Sequence, residues 1–259
     1  MNVPLISVVV GPVGSGKTAW ISQQIQDTSS VEDKHIIYFS PGTGNISIDK
    51  NHIAADFPNI QVFGDGQEMD LLKQIPTAKA VYMEVGFYLE LQSLTQILDR
   101  LPYHVIAVLP SHLQDSEYHA WADEIIPGIP AKTDSSNHLW RVGTNSQVID
   151  EDSLEEFWYE LTHGAYGNVT RAKAIFDVND GRSIYCDFVA GIPQADFLEL
   201  NLPRYLEGRP ERFSGIEVVG ENLDEVTLKQ TLSDCCLSDS LIEQYQQQVK
   251  QMLLEGIQA

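Results

Sequence analysis

A run of eight residues near the start of the chain has the residue types and spacing of a phosphate-binding loop. Gly11-Pro12-Val13-Gly14-Ser15-Gly16-Lys17-Thr18 fits the pattern G-x-x-x-x-G-K-[ST]. Glycines at positions 11, 14 and 16 allow a sharp turn and a close approach of the backbone to phosphate oxygens. The backbone amides of residues 14–17, with Ser15 and Gly16 among them, then face an anion at the start of a helix. We expect this loop to hold phosphate groups.

Lys17 and Thr18 complete the motif with a charge and a hydroxyl. The Lys17 ammonium would neutralise the β- and γ-phosphates, so we predict a catalytic as well as a binding role for it. The Thr18 hydroxyl would bind Mg²⁺. One alternative is a chance match in a glycine-rich turn. Another is a site that binds nucleotide without turning it over, because a fold does not by itself establish an activity.

The segments on either side of this loop have the patterns that the motif requires. Residues 5–10 are apolar and rich in β-branched side chains, which predicts a buried strand. After the loop, Ala19, Ile21 and Ile25 predict a helix with one buried side. A strand, a glycine-rich loop and a helix therefore follow one another, as in phosphate-binding proteins.

A second candidate group, Glu84, lies at the end of the predicted strand over residues 80–86. A buried acid is costly to desolvate without a partner, and Mg²⁺ or its water shell would be such a partner. We predict that Glu84 organises the metal shell or the attacking water. An ordinary capping or salt-bridged glutamate is the alternative. Asp49 and Asp56 follow the second predicted strand and are weaker candidates, with solvated loop carboxylates as the alternative.

Strands alternate with helices over the first part of the chain, which predicts an α/β fold with a mostly parallel sheet and helices on both faces. We place the last strand of this domain at residues 139–143 and a following helix, capped by Asp150 or Asp152, up to about residue 161. The domain would span residues 1–163.

A small α+β domain is predicted for residues 164–259. Two β-rich segments flank Asn179-Asp180-Gly181, a hairpin turn signal, and a further strand covers residues 217–219. Two helices follow, and Ser240 with Glu243 fits a capping box at the start of the second one.

The charge balance disfavours two classes of partner. The 259 residues include 37 acidic and 16 basic side chains, which gives a net charge of −21. Such a chain would repel nucleic acids and anionic membranes. The residue patterns predict neither a signal peptide nor a membrane-spanning run, and the three cysteines make a poor disulfide framework. We expect a cytoplasmic protein.

Beyond the glycine-rich loop, the chain resembles the CobW-type P-loop GTPases, a family of the SIMIBI class. Arg171-Ala172-Lys173-Ala174 resembles the Arg-Ala-Lys-Gly that opens the family's C-terminal domain. Residues 212–224 resemble its closing strand and the helix after it. The resemblance implies GTP binding with Mg²⁺, slow hydrolysis and metal delivery to client proteins. SIMIBI relatives also often dimerise across the nucleotide.

Three departures limit this resemblance. The family's Cys-x-Cys-Cys is absent, since no cysteine precedes Cys186. Its Asn-Lys-x-Asp guanine motif becomes Ala131-Lys132-Thr133-Asp134. Lys132 would cover the base, and Asp134 would accept hydrogen bonds from the edge of the guanine ring. Ala131 lacks the side-chain amide of the family's asparagine. The alternative is a chance Lys-x-Asp in a surface loop. Its Glu-x-x-Gly is one residue shorter here, as Glu84-Val85-Gly86.

Three functional hypotheses follow. The first is a nucleotide-dependent switch, with GTP or ATP and Mg²⁺, that hydrolyses slowly and acts on a protein client through its C-terminal domain. The second is a scaffold protein with a relic nucleotide site. The third is a metal-delivery chaperone, which would need thiol or imidazole ligands at close spacing. The sequence does not favour it, because Cys235 and Cys236 are adjacent on a predicted helix and so face different directions, and the seven histidines are scattered.

Overall fold

The computed structural model describes residues 4–29, 35–86, 89, 98, 101–113, 115–130, 138–193 and 197–256. The chain forms two compact units, Met1–Ala131 and Lys132–Ala259. The first is an α/β unit with a parallel sheet, and the second combines an antiparallel sheet with helices. The predicted fold class is confirmed.

Six parallel strands form the sheet of the first unit, in the order β3-β2-β4-β1-β5-β6. Their bounds are β1 Leu5–Val10, β2 Ile36–Ser40, β3 Gln61–Gly64, β4 Ala80–Glu84, β5 His104–Pro110 and β6 Glu124–Gly128. β2 and β4 are buried along their whole length, as expected for strands covered on both faces. Because all six strands are parallel, their carboxyl ends meet at one edge of the sheet, where α/β proteins bind ligands.

Helices cover both faces of this sheet. They are α1 Lys17–Ser29, α2 Ile48–Asp56, α3 Glu68–Gln74 with a 3-10 turn at Ile75–Thr77, and α4 Glu117–Trp121. On one face, Val9 packs in a core with Ile21 of α1 and Ile53 of α2. On the other face, Val8 packs in a core with Leu71 of α3. Neighbouring residues of a strand point to opposite faces, so β1 serves both cores.

Pro127 lies within the last strand of this sheet. Ile125 and Ile126 predict a strand that Pro127 would disturb, but β6 continues through Gly128, with Pro127 opposite Leu109. Among the described strands β6 pairs with β5 alone, and a missing backbone N–H is tolerated in such an edge strand.

The amphipathic pattern of residues 89–101 predicts a further helix, most of which lies outside the described residues.

The second unit contains a five-stranded antiparallel sheet in the order β10-β9-β8-β11-β7. Its strands are β7 His138–Gly143, β8 Asn168–Asp177, β9 Ser183–Val189, β10 Leu198–Glu199 and β11 Gly215–Glu221. Its helices are α5 Glu151–Thr162, α6 Glu225–Asp234 and α7 Asp239–Leu254. β8 and β9 form the hairpin predicted from Asn179-Asp180-Gly181.

Residues 138–162, which the sequence analysis placed at the end of the first domain, belong to the second compact unit. β7 pairs with β11, with Trp140 opposite Val218, and α5 buries Phe157 and Trp158 in the core of the second sheet. The compact units therefore divide between Ala131 and Lys132 rather than at residues 163 and 164. Local hydrophobic patterns predicted that these elements form, but they carry no information about a strand partner so far away in sequence.

Two helix starts in the second unit test the predicted caps. Asp150 caps α5, because its side chain accepts a hydrogen bond from the Ser153 amide at 3.1 Å. The capping box at Ser240 and Glu243 was wrong, since α7 begins after Ser238 and Ser240 lies inside its first turn. Within the described ranges, no helix is long and apolar enough to cross a membrane.

Candidate functional site

The glycine-rich loop connects β1 to α1 at the carboxyl edge of the parallel sheet. Gly11 opens it with a φ of +148°, and a Cβ atom there would lie 2.4 Å from the Val108 carbonyl oxygen. Gly16 has a φ of +96°, a conformation that other residues rarely adopt. Glycine is required at position 11 for both conformation and space, because β5 passes directly beneath the loop.

Lys17 folds back over its own loop. Its Nζ donates to the carbonyl oxygens of Gly11 at 3.0 Å and Pro12 at 3.1 Å, and the residue is only 8% exposed. These two carbonyls hold the ammonium against the loop. The positive charge thus lies where the motif predicts phosphate oxygens.

Thr18 and Glu84 are in direct contact. Thr18 Oγ1 donates to Glu84 Oε1 at 2.9 Å. Glu84 ends β4 opposite Val9 of β1, and it is 5% exposed. The parallel pairing of β1 with β4 brings together two residues that are far apart in sequence. The predicted metal-binding hydroxyl and the predicted acid therefore share one site.

Tyr38 contacts the same carboxylate from β2, and the sequence analysis did not single it out. Its hydroxyl donates to Glu84 Oε2 at 2.8 Å. Burial, then the negative charges of Glu84 and Asp49, raise the pKa of Tyr38 well above its ordinary value, so the phenol stays protonated. A tyrosine within a wholly buried strand needs a partner for its hydroxyl, and this was the available signal.

The segment after β6 packs against the loop. The Ile129 amide donates to the Ser15 carbonyl at 2.9 Å, and a Cβ atom at Gly128 would lie 2.8 Å from that same oxygen. Chain continuity therefore brings Pro130 out beside the loop. Lys132 and Asp134, the predicted base-binding residues, follow within a few positions but lie outside the described residues.

The Ser15 hydroxyl is a buried polar atom without a hydrogen-bond partner in the described part of the chain. The residue is 1% exposed, and its Oγ faces Gly11 across the loop. An unsatisfied buried hydroxyl costs free energy unless a ligand or water supplies the missing bond. The loop thus contains a donor suited to a phosphate oxygen.

The two weaker candidates, Asp49 and Asp56, lie in the helix α2 rather than in a loop. The negative charge of Asp49 acts on Tyr38, and Asp56 pairs with His52 of the same helix at 3.1 Å. One further carboxylate had not been predicted. Asp65, at the carboxyl end of β3, accepts from the Gly42 amide at 2.8 Å and the Gly44 amide at 2.6 Å, and so holds the loop after β2. Across the described ranges, no group of three or more His, Cys, Asp or Glu side chains could hold a metal ion.

The three cysteines lie in the second unit. Burial raises the pKa of Cys186 well above its ordinary value and that of Cys235 to about 11. The Cys235 thiol donates to the Thr231 carbonyl at 3.2 Å. Metal binding needs thiolates, which these environments disfavour.

No protein-family model and no curated protein sequence matches the chain. Among solved structures, the chain is similar to the Zn(II)-bound YjiA GTPase from E. coli, with 11% identity, a TM-score of 0.32, and coverage of 91% of this chain and 99% of that one. A Zn(II)-bound triple mutant of YjiA GTPase matches with 12% identity, the same coverage and the same TM-score. Such values are too low to assign a family.

Proposed function

We propose that the protein binds a nucleoside triphosphate, GTP or ATP, with Mg²⁺ and acts as a nucleotide-dependent switch. One observation carries this proposal: the G-x-x-x-x-G-K-T loop joins a central strand to a helix, with Lys17 folded over it and Thr18 bonded to the buried acid Glu84. A glycine-rich turn that matches the motif by chance has no reason to bring these three groups together.

The loop would hold the phosphates through three kinds of donor. The amides of residues 14–17 precede or begin α1, where the helix dipole favours an anion. Ser15 Oγ needs an acceptor, and phosphate oxygens supply one. Lys17 Nζ would exchange its bonds to two neutral carbonyls for bonds to phosphate oxygens, in which the donor and the acceptor are both charged.

Thr18 and Glu84 fit the hard-ion chemistry of Mg²⁺. Bound Mg²⁺ would neutralise charge on the β- and γ-phosphate oxygens. A hydroxyl has one proton and two lone pairs, so Thr18 can donate to Glu84 and still offer a lone pair to the metal. The Thr18–Glu84 hydrogen bond would then orient that lone pair.

We propose that hydrolysis is slow, with Lys17 and Glu84 as its catalytic residues. Both Glu84 oxygens accept hydroxyl protons, one from Thr18 and one from Tyr38. This uses part of the carboxylate's capacity of about four acceptor positions and leaves less of it to orient an attacking water. The carboxylate is thus better placed to hold the metal shell than to activate water.

Lys132 and Asp134 are proposed to bind the base. The segment that precedes them in the sequence is attached to the glycine-rich loop by the hydrogen bond from the Ile129 amide to the Ser15 carbonyl. This attachment supports a role for Lys132 and Asp134 near that loop. Ala131 offers no side-chain hydrogen bond, which supports weak discrimination between GTP and ATP.

The resemblance to CobW-type proteins supports two further proposals, a protein client that binds the second unit and a homodimer across the nucleotide. The net charge of −21 supports a third, that neither nucleic acid nor a membrane is a partner. Three free cysteines suit a reducing compartment such as the cytoplasm. The scaffold hypothesis makes the opposite prediction about turnover.

Calorimetry tests the proposal directly. Purified protein is titrated with GTP and ATP, each with Mg²⁺ and with EDTA, and phosphate release is followed separately. We expect Mg²⁺-dependent binding with slow release. Binding without any phosphate release would favour a scaffold with a relic site, and no binding of either triphosphate would refute the proposal.

A further inference from the structure

The carboxylate of Glu84 is held between two hydroxyl groups from different elements. Thr18 of α1 donates to Oε1 at 2.9 Å, and Tyr38 of β2 donates to Oε2 at 2.8 Å. Both tyrosine and glutamate are buried, with relative exposures of 0% and 5%. The two hydrogen bonds fix both the position and the plane of the carboxylate.

Tyr38 is well suited to a fixed donor role. Its ring packs in the core between the sheet and the helices α1 and α2, together with Ile21 and Ile53. An aromatic ring held by packing has few alternative rotamers, so its hydroxyl lies at a set point. The phenolic hydroxyl donates to a carboxylate, which as an ion can only accept.

We propose that Tyr38 is a positioning residue for the metal site: it holds Glu84 in the orientation that accepts from Thr18, and so sets how strongly the nucleotide site retains Mg²⁺. This inference rests on the proposed function. Without the Tyr38 hydroxyl, Glu84 Oε2 loses a buried hydrogen-bond donor. The Glu84 carboxylate is then less strongly fixed, and the Thr18 hydroxyl that donates to it is less well oriented for Mg²⁺.

A neighbouring tyrosine provides a matched control. Tyr82 of β4 lies opposite Tyr38 in the pairing of β2 with β4, and it belongs to the same core. Its hydroxyl lies 3.5 Å from Thr28 Oγ1, at the other end of α1 from Thr18. Tyr38→Phe and Tyr82→Phe thus each remove one buried phenol oxygen from one core, but only the first removes a donor to Glu84.

The test measures nucleotide affinity against Mg²⁺ concentration for wild type and both variants. For Tyr38→Phe we expect the half-saturating Mg²⁺ concentration to rise about tenfold, as for the loss of one hydrogen bond to a charged group. Affinity in EDTA should stay unchanged. Tyr82→Phe should match wild type in both conditions.

A double-mutant cycle separates positioning from packing. In a Glu84→Gln background, Tyr38→Phe should add little to the Mg²⁺ requirement, because the group that it positions is already altered. If Tyr38→Phe does not fold, Tyr38→Met tests the same loss of donor, since methionine adapts to an irregular core.

Two results would overturn the inference and they differ from each other. Suppose that wild type binds nucleotide more tightly with Mg²⁺ than in EDTA. A Tyr38→Phe variant with an unchanged Mg²⁺ requirement, or with equal losses of affinity in Mg²⁺ and EDTA, would then leave the proposed function intact and remove the role of Tyr38. Wild type without Mg²⁺-dependent binding would remove both.

Discussion

At the residue scale, the central fact is a buried ammonium held by neutral oxygens. Lys17 is 8% exposed and donates to two carbonyls of its own loop. The two carbonyl oxygens lower the cost of burying this charge. Under the proposed function, phosphate oxygens would give the same ammonium charged acceptors.

Lys17→Ala should abolish triphosphate binding and leave the fold intact. The substitution removes the charge that faces the phosphates, and the loop glycines keep the backbone in place. Calorimetry with the Mg²⁺-triphosphate and circular dichroism check the two parts of this prediction. Lys79→Ala, at an exposed position before β4, is the control for general loss of positive charge. Equal affinity in Lys17→Ala and wild type would contradict the prediction.

Base discrimination should be weak, and it should improve when an amide is restored. A buried hydrogen-bond partner is worth about 1–3 kcal/mol, and Ala131 does not supply one. Ala131→Asn should therefore raise the ratio of GTP to ATP affinity by about tenfold or more. Side-by-side titrations with GTP and ATP give this ratio. Ala131→Ser is the control for a polar substitution at this position that brings no amide. A strong GTP preference in wild type would show that another residue reads the base.

Asp177 should make the second unit less stable as pH rises. Burial raises its pKa to about 6 despite the nearby Arg212 guanidinium, so the folded state binds a proton more tightly than the unfolded chain does. This stabilisation is present below about pH 4 and is lost as pH rises through about 6. The loss would be on the order of 3 kcal/mol, from a pKa shift of about two units.

Chemical denaturation of wild type and Asp177→Asn between pH 4 and 7 measures this effect. The difference in free energy of unfolding should move in favour of the asparagine variant as pH rises. A constant difference over this range would mean that the pair with Arg212 compensates for burial in full.

At the scale of elements, the loop depends on the strand beneath it. A Cβ atom at Gly11 would lie 2.4 Å from the Val108 carbonyl of β5, a distance that requires the backbone to shift. Because β1 is central in the sheet, the loop cannot move away without disturbing strand pairing.

Gly11→Ala should thus abolish nucleotide binding. It should also destabilise the first unit by more than the cost of placing a non-glycine residue at a positive φ, because the Cβ atom meets the Val108 carbonyl as well. Gly66→Ala is the matched control, since Gly66 also has a positive φ, +81°, but a Cβ there would meet nothing within 4 Å. Thermal unfolding and nucleotide titration compare the two. We expect a cost of about 1–2 kcal/mol for Gly66→Ala, and a larger cost for Gly11→Ala. Equal costs would mean that the contact with Val108 relaxes freely.

Elements formed by local patterns could be predicted, and contacts between distant segments could not. The apolar run before Gly11 and the residues after it predicted β1, the loop and α1, because the motif and its flanks are contiguous. Tyr38 and Glu84 are joined only by the pairing of β2 with β4, which no local pattern specifies. β7 shows the same limit: its sequence predicts a strand, but its partner β11 lies in a distant part of the chain.

At the scale of the whole molecule, the cysteines and the glycine-rich loop belong to different units. Residues 1–131 contain no cysteine, and the three cysteines of the second unit are free. Protonated thiols would have to release protons at some cost before they could bind zinc or cobalt.

Equilibrium dialysis against zinc, with and without nucleotide, should therefore show no tightly bound metal. Soft divalent ions are held tightly by thiolates or by closely spaced imidazoles, and Mg²⁺ with nucleotide is the hard-ion site that we expect instead. A variant with all three cysteines replaced by serine gives the background level. Stoichiometric zinc that survives mild chelation in wild type would restore the metal-delivery hypothesis.

The bond from the Ile129 amide to the Ser15 carbonyl has a mechanical consequence. This bond attaches the end of β6, an edge strand of the parallel sheet, to the glycine-rich loop. A shift of Ser15 on phosphate binding or release would therefore reach the edge of the sheet through a single amide. The exchange of the Ile129 amide hydrogen with solvent would report that shift.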